Sequence, residues 1–146
     1  MWVPPQCRSA LLAARLGPLL DRIDMHIEVS PVKYTELNQA SPAEKSQDIR
    51  LRILAARKLQ LERYAKQSGT YANAHMNRRE VEQFCQLTAE AQSILQSAMK
   101  KLGLSARAYE RILKVARTIA DLDASANIAT CHLSEAIQYR NLDRSN

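Results

Sequence analysis

The apolar and polar positions of the chain change their period once. From Ile23 to Val29 they alternate: Ile23, Met25, Ile27 and Val29 are apolar, and Asp24, His26 and Glu28 lie between them. Successive side chains of a strand face opposite sides, so period two predicts a β-strand; Pro31 closes it. Beyond the polar stretch 30–41 the spacing becomes helical. Ser41 can cap a helix, with Pro42 at its first position and Glu44 three residues after the cap. That helix is expected to run to about Gln67 and stop at Ser68-Gly69. Ile49, Ile53 and Ala56, with Leu54, Leu61 and Ala65 beside them, are its expected inner face. Arg50, Arg52, Arg57, Lys58, Arg63 and Lys66 are its expected outer face.

Four more helices follow from caps and stripes. Asn77 can open a short one over Arg78–Phe84, and Thr88 another over about Ala89–Leu102, where Ala91, Ile94, Leu95, Ala98, Met99 and Leu102 line up before Gly103. Ser105 opens the clearest, from Ala106 to about Asp123. One of its apolar rows is Ala108, Ile112, Val115, Ile119 and Leu122; the other is Tyr109, Leu113, Ala116 and Ala120. Tyr109 is thereby expected in the core, and Arg111, Lys114 and Arg117 as surface or interface charges. Thr130 is the expected cap of a last helix over about Cys131–Tyr139, packing Leu133, Ala136 and Ile137. At the start, a short helix over Ser9–Leu16 is broken by Gly17-Pro18, and the tail after Arg140 is expected to fray.

The pattern therefore predicts an all-α bundle of four to five helices, preceded by one orphan β-strand and a short leader. A lone strand cannot pair its own backbone groups, so either it docks on a partner outside these residues or it is loose. Three glycines and an aromatic content of 5% suit helices better than sheets.

Charge and chemistry narrow the function. A net charge of +6 permits attraction to ATP, nucleic acid or another acidic partner without choosing among them. Cys7, Cys85 and Cys131 are too scattered for a disulfide framework or a metal site. Reduced thiols suit a cytoplasmic protein, and no apolar run reaches the ~20 residues that span a bilayer. The chain holds no GxxxxGK[ST] phosphate loop and no hydrolase, zinc or dinucleotide motif. Asp121 and Asp123, near a helix end on different faces, read as solvent groups.

Two segments are more specific. One is Gly17-Pro18-Leu19-Leu20-Asp21-Arg22-Ile23-Asp24. The other is Leu104-Ser105-Ala106-Arg107-Ala108-Tyr109, continuing through Arg111-Ile112-Leu113-Lys114-Val115-Ala116-Arg117 and closed later by His132-Leu133-Ser134-Glu135-Ala136-Ile137. In this order and spacing the chain resembles the magnesium-chelatase-like AAA+ ATPases, particularly the competence-associated members, over residues 17–144. The resemblance implies a division into a leader (1–16), a remnant of the nucleotide-binding core (17–40) and a helical lid domain (41–146). It implies that Arg22 matches the arginine finger that reaches a neighbouring subunit's ATP, and that Arg107 matches the sensor-2 arginine at the γ-phosphate. Arg111 and Lys114 are candidate phosphate or partner contacts. ATP and magnesium are then expected for a full-length ATPase, with none bound by this chain alone. The expected partners are the missing core, neighbouring subunits of a ring, and DNA. A fixed guanidinium fits this work because it stays charged and can bond two phosphate oxygens at once. The alternatives are a stand-alone basic module binding nucleic-acid phosphates, led by the cations of the 41–67 helix, and an adaptor bundle.

Overall fold

A computed structural model describes residues 22–27, 29, 31 and 44–140. Among them are five α-helices: α1 (Ser46–Tyr64), α2 (Arg78–Phe84), α3 (Ala89–Leu102), α4 (Ala106–Leu122) and α5 (Thr130–Gln138). A 3-10 turn, Asn73–His75, links α1 to α2. No sheet forms among the described residues; Leu87 and Ile128 make one isolated parallel bridge.

Most helix ends lie where local chemistry puts them. Asn77 and Glu80 form a reciprocal capping box: the Glu80 N–H donates to Asn77 Oδ1 at 3.1 Å, and the Asn77 N–H to Glu80 Oε2 at 2.8 Å. Thr88 accepts from the Ala91 N–H, and Ser105 from the Ala108 N–H, each at 3.2 Å. Gly103 ends α3 in the left-handed region at φ 61°, which a glycine adopts without a Cβ penalty. The expected cap at Thr130 is displaced by one residue. Ala129 holds the cap position and cannot accept with its side chain, so the inner turn answers instead: the Ala129 N–H donates to His132 Nδ1 at 3.0 Å. The anticipated cap Ser41 and the leader lie outside the described residues, and α1 begins at Ser46 with no side-chain cap.

α4 is the centre of the bundle. It packs on α5, α1, the 3-10 turn and α2, while α3 closes against α5. The largest fully buried apolar side chains of the bundle are Leu95, Ile112, Ile128 and Leu133, joined by Tyr64, Met76, Val81 and Cys85. Burial pushes the Cys85 thiol up to about 11 and the Tyr64 phenol up to about 12, so both stay neutral at physiological pH. Tyr64 meets the edge of Phe84 at 5.5 Å between ring centroids, a favoured aromatic geometry.

The expected strand finds no ladder among the described residues, and two expectations about burial are overturned. Residues 22–27 are irregular: Ile23, Met25 and Ile27 are exposed, and His26 is the residue that turns inward. Alternation alone is a strand signal only where a neighbouring strand offers a ladder. On α1 Ala56 is buried as expected, but Gln60 and Tyr64 continue its line in place of the rest of the apolar row; Ile49, Ile53, Leu54 and Leu61 remain exposed. Tyr109, expected in the core, is 39% exposed.

The end of α4 carries one backbone constraint. Ala124 sits in the left-handed region at φ 51°. Around it the Ser125 N–H reaches back to the Ala120 carbonyl at 2.8 Å and the Ala124 N–H to the Asp121 carbonyl at 3.2 Å, the paired closure of a Schellman motif. An L-residue pays roughly 1–2 kcal/mol for that conformation, against the smaller unfolded-state entropy cost of a glycine. Ala124→Gly is accordingly expected to raise stability by up to about 1 kcal/mol, read as a higher midpoint in urea with an unchanged slope.

Candidate functional site: a fixed and an open end of the α4 helix

At its C-terminal end α4 is tied to α1 and to the 3-10 turn through the carboxylate of Asp121, which is 2% exposed. Arg63 of α1 grips it with both terminal nitrogens, one of them 2.8 Å from Oδ2. Asn73 Nδ2 donates to the same oxygen at 2.8 Å, and Arg117, one turn earlier on α4, donates to Oδ1 from Nε at 3.1 Å. The remaining donors are used as well. Arg117 reaches the Ser125 and Ala126 carbonyls at 2.6 and 2.9 Å. Asn73 Oδ1 accepts from Arg63 at 3.0 Å and from the Tyr64 hydroxyl at 2.7 Å.

Burial pushes the Asp121 carboxyl up. The hydrogen bonds from Arg63 and Asn73 and the two guanidinium charges outweigh burial, and they hold it below the usual carboxylate range. Asp121 and Arg117, expected at the surface, are therefore interior, and Arg63 turns from the outer face of α1 into the bundle. The reason is mutual. A buried carboxylate is costly unless several donors surround it, and these two arginines supply charge and fork geometry together.

At its N-terminal end α4 is open. Arg107 lies in the first turn after the Ser105 cap, is exposed, and makes no hydrogen bond or ion pair among the described residues. There the helix dipole and free N–H groups favour an anion. Ala106 and Tyr109, on either side of it in sequence, line a cleft of about 440 Å³ between α4 and α2, together with Arg78, Val81 and Cys85.

The other sequence candidates are placed differently. Arg22 is exposed. Arg111 forms an ion pair with Asp24, and the Lys114 ammonium donates to the Ala74 carbonyl at 3.1 Å. These two cations thus face their own chain. Among the described residues no three His, Cys, Asp or Glu side chains gather as a metal site, and no helix is long and apolar enough to cross a membrane. The Asp121 network was missed in the sequence although it leaves a trace: Leu113, Arg117 and Asp121 follow at steps of four, so a cation and an acid continue an apolar row.

The five-helix bundle, with Leu-Ser-Ala-Arg opening its central helix, is a lid-type module of the chelatase-like AAA+ proteins. Residues 43–140 match the family model described as the C-terminal part of magnesium chelatase subunit ChlI, and the chain belongs to that family. It is 43% identical over 141 residues to the competence protein ComM of Haemophilus influenzae, covering 96% of this chain and 27% of that protein. It is 42% identical over 129 residues to the uncharacterized protein YifB of Escherichia coli, covering 88% of this chain and 24% of that protein. The uncharacterized protein Rv2897c of Mycobacterium tuberculosis is 26% identical over 124 residues, 85% of this chain and 24% of that protein. The chain thus spans about a quarter of the length of these relatives.

The buried carboxylate sets an acid limit on the fold. Asp121 titrates lower when folded than when unfolded, so its stabilisation is complete above the unfolded carboxylate value of about 4 and is lost as pH falls through the folded value. Asp121→Asn keeps the shape but leaves two guanidinium groups without their anion. It is expected to cost roughly 3–5 kcal/mol at neutral pH, as for other broken buried pairs, and to flatten the acid limb in urea melts taken from pH 7 to pH 3.

Proposed function

We propose that this chain is the lid and sensor module of a chelatase-like AAA+ ATPase of the competence-associated, DNA-remodelling branch. Arg107 contacts the γ-phosphate of ATP held by a nucleotide-binding core, and Arg22 reaches the ATP of a neighbouring ring subunit. The observation that carries this reading is the free guanidinium of Arg107 in the first turn of α4, beyond the Ser105 cap. The residues suit the phosphate end of the substrate. Magnesium is assigned, with the ATP it accompanies, to that core. The link to DNA rests on the resemblance to the competence-associated branch, and a cytoplasmic location belongs to the same reading.

The physical role is closure. ATP would bridge the core and the open end of α4, and the fixed end would carry the resulting rotation into the bundle as a rigid body. Hydrolysis spreads charge over the γ-phosphate oxygens, where a fixed cation stabilises the transition state more than the ground state.

A second reading has its own observation. α1 exposes Arg50 and Lys58, together with Arg52 in its ion pair with Glu44, cations suited to nucleic-acid phosphates. Binding through them alone would weaken steeply with salt.

The two readings part in one experiment. Residues 1–146 alone are expected to show no ATPase above background. Joined to a chelatase-type nucleotide-binding core, the chain is expected to support turnover that Arg107→Ala lowers by about 10²–10³-fold, the cost of removing one fixed donor from developing charge. Turnover insensitive to Arg107→Ala, with tight salt-sensitive DNA binding by the chain alone, would favour the second reading.

A further inference from the structure

Residues 22–27 are irregular, yet several contacts fasten them to the bundle. Arg111 on α4 ion-pairs with Asp24. Arg140, fully buried just beyond α5, donates to the Ile23 carbonyl. The His26 N–H donates to the Tyr139 carbonyl at 2.7 Å, and the His26 ring is buried with 8% exposure. The fastened stretch begins one residue after Arg22. One of its anchors, Arg111, stands one helical turn beyond Arg107 on the same face of the same helix.

We propose that Arg111 is a positioning residue: through Asp24 it locks the segment that carries Arg22 to the helix that carries Arg107, so that the two arginines move as one body. This rests on the reading in which Arg107 and Arg22 serve two different nucleotides. On that reading the lock has a direct consequence. A rotation of α4 set by one nucleotide displaces the guanidinium offered to the next, and the state of one site is passed to its neighbour without a separate relay.

The geometry supports Arg111 as the element that sets direction. Arg140 and Tyr139 engage backbone groups at Ile23 and His26, which fixes where the segment lies. Between these two points the Asp24 carboxylate is the one charged side chain, and Arg111 is the partner it has among the described residues. Both are partly exposed, at 29% for Arg111 and 52% for Asp24, so the pair contributes modestly to folding and can restrain a local torsion without holding up the core. The roles of Arg111 and Lys114 also separate here. Lys114 binds the Ala74 carbonyl and has no contact with the segment among the described residues.

Backbone relaxation and hydrogen exchange on the full chain test the lock without any core. In the native chain the amides of Ile23–His26 are expected to be as ordered as those of α4, with order parameters near 0.85. Asp24→Asn and Arg111→Gln should each lower them at Asp24 and Met25, between the two backbone anchors, and speed exchange of the His26 amide about fivefold. The reversed pair, Asp24→Arg with Arg111→Asp, should restore both. Asp24 lies outside the helices, so Asp24→Asn keeps the test open should Arg111→Gln disturb α4. Order and exchange that ignore all three changes overturn the proposal.

In the core-joined ATPase, Arg111→Gln is expected to lower kcat about tenfold with little change in KM, with recovery in the reversed pair. Turnover that falls for Arg22→Ala and Arg107→Ala but not for Arg111→Gln overturns the coupling and leaves the lid reading standing. Turnover indifferent to Arg22→Ala and Arg107→Ala overturns that reading, and the proposal with it, whatever the exchange data show.

Discussion

A carboxylate without water must be surrounded by donors, and the bundle is arranged around that requirement at Asp121. Arg63 comes from α1, Asn73 from the 3-10 turn and Arg117 from α4 itself, so one buried anion joins three elements distant in sequence. The pairing also settles the turn after α4, because Arg117 spends its remaining donors on the Ser125 and Ala126 carbonyls. Such a network gives less net stability than an apolar core of the same volume would. What it adds is geometry. Arg63 can satisfy both oxygens only when α1 lies at one rotation and one height against α4.

That constraint explains which parts of the fold were legible in the sequence. The starts of α2, α3 and α4 depend on a residue three positions away, and Asn77, Thr88 and Ser105 announced them. Gly103 announced the end of α3 for the same local reason. The face of α1 was not legible, because Arg63 turns inward for an acid 58 residues later. Its apolar residues Ile49, Ile53 and Leu54 made a reasonable stripe, yet the structure leaves them exposed and buries Gln60 and Tyr64 instead. Asp121 looked like a solvent group since nothing local distinguishes a carboxylate at a helix end from one aimed at two arginines. The alternation at Ile23–Val29 is a genuine period with no ladder beside it among the described residues.

The candidate site was readable as residue identities more than as an arrangement. Arg107 follows directly from the Ser105 cap, and its place in the first turn needed no tertiary information. The attachment of Asp24 to Arg111, and of Ile23 to Arg140, spans most of the chain and could not be foreseen from spacing. Together these contacts make α4 a helix with one end set in the bundle and the other presenting charge outward. The membership in the chelatase C-terminal family gives that shape a context, and on the proposed lid reading the fixed end of α4 would carry whatever Arg107 meets into the bundle.

The central claim is that this arginine meets a nucleotide held by another body. Calorimetric titration of a chelatase-type nucleotide-binding core with a non-hydrolysable ATP analogue, with and without this chain added in trans, tests it most directly. Tighter binding in the presence of the chain, with the whole gain lost on Arg107→Ala, is the predicted result. An equal gain from native and Arg107→Ala chains, or no gain from either, would contradict it.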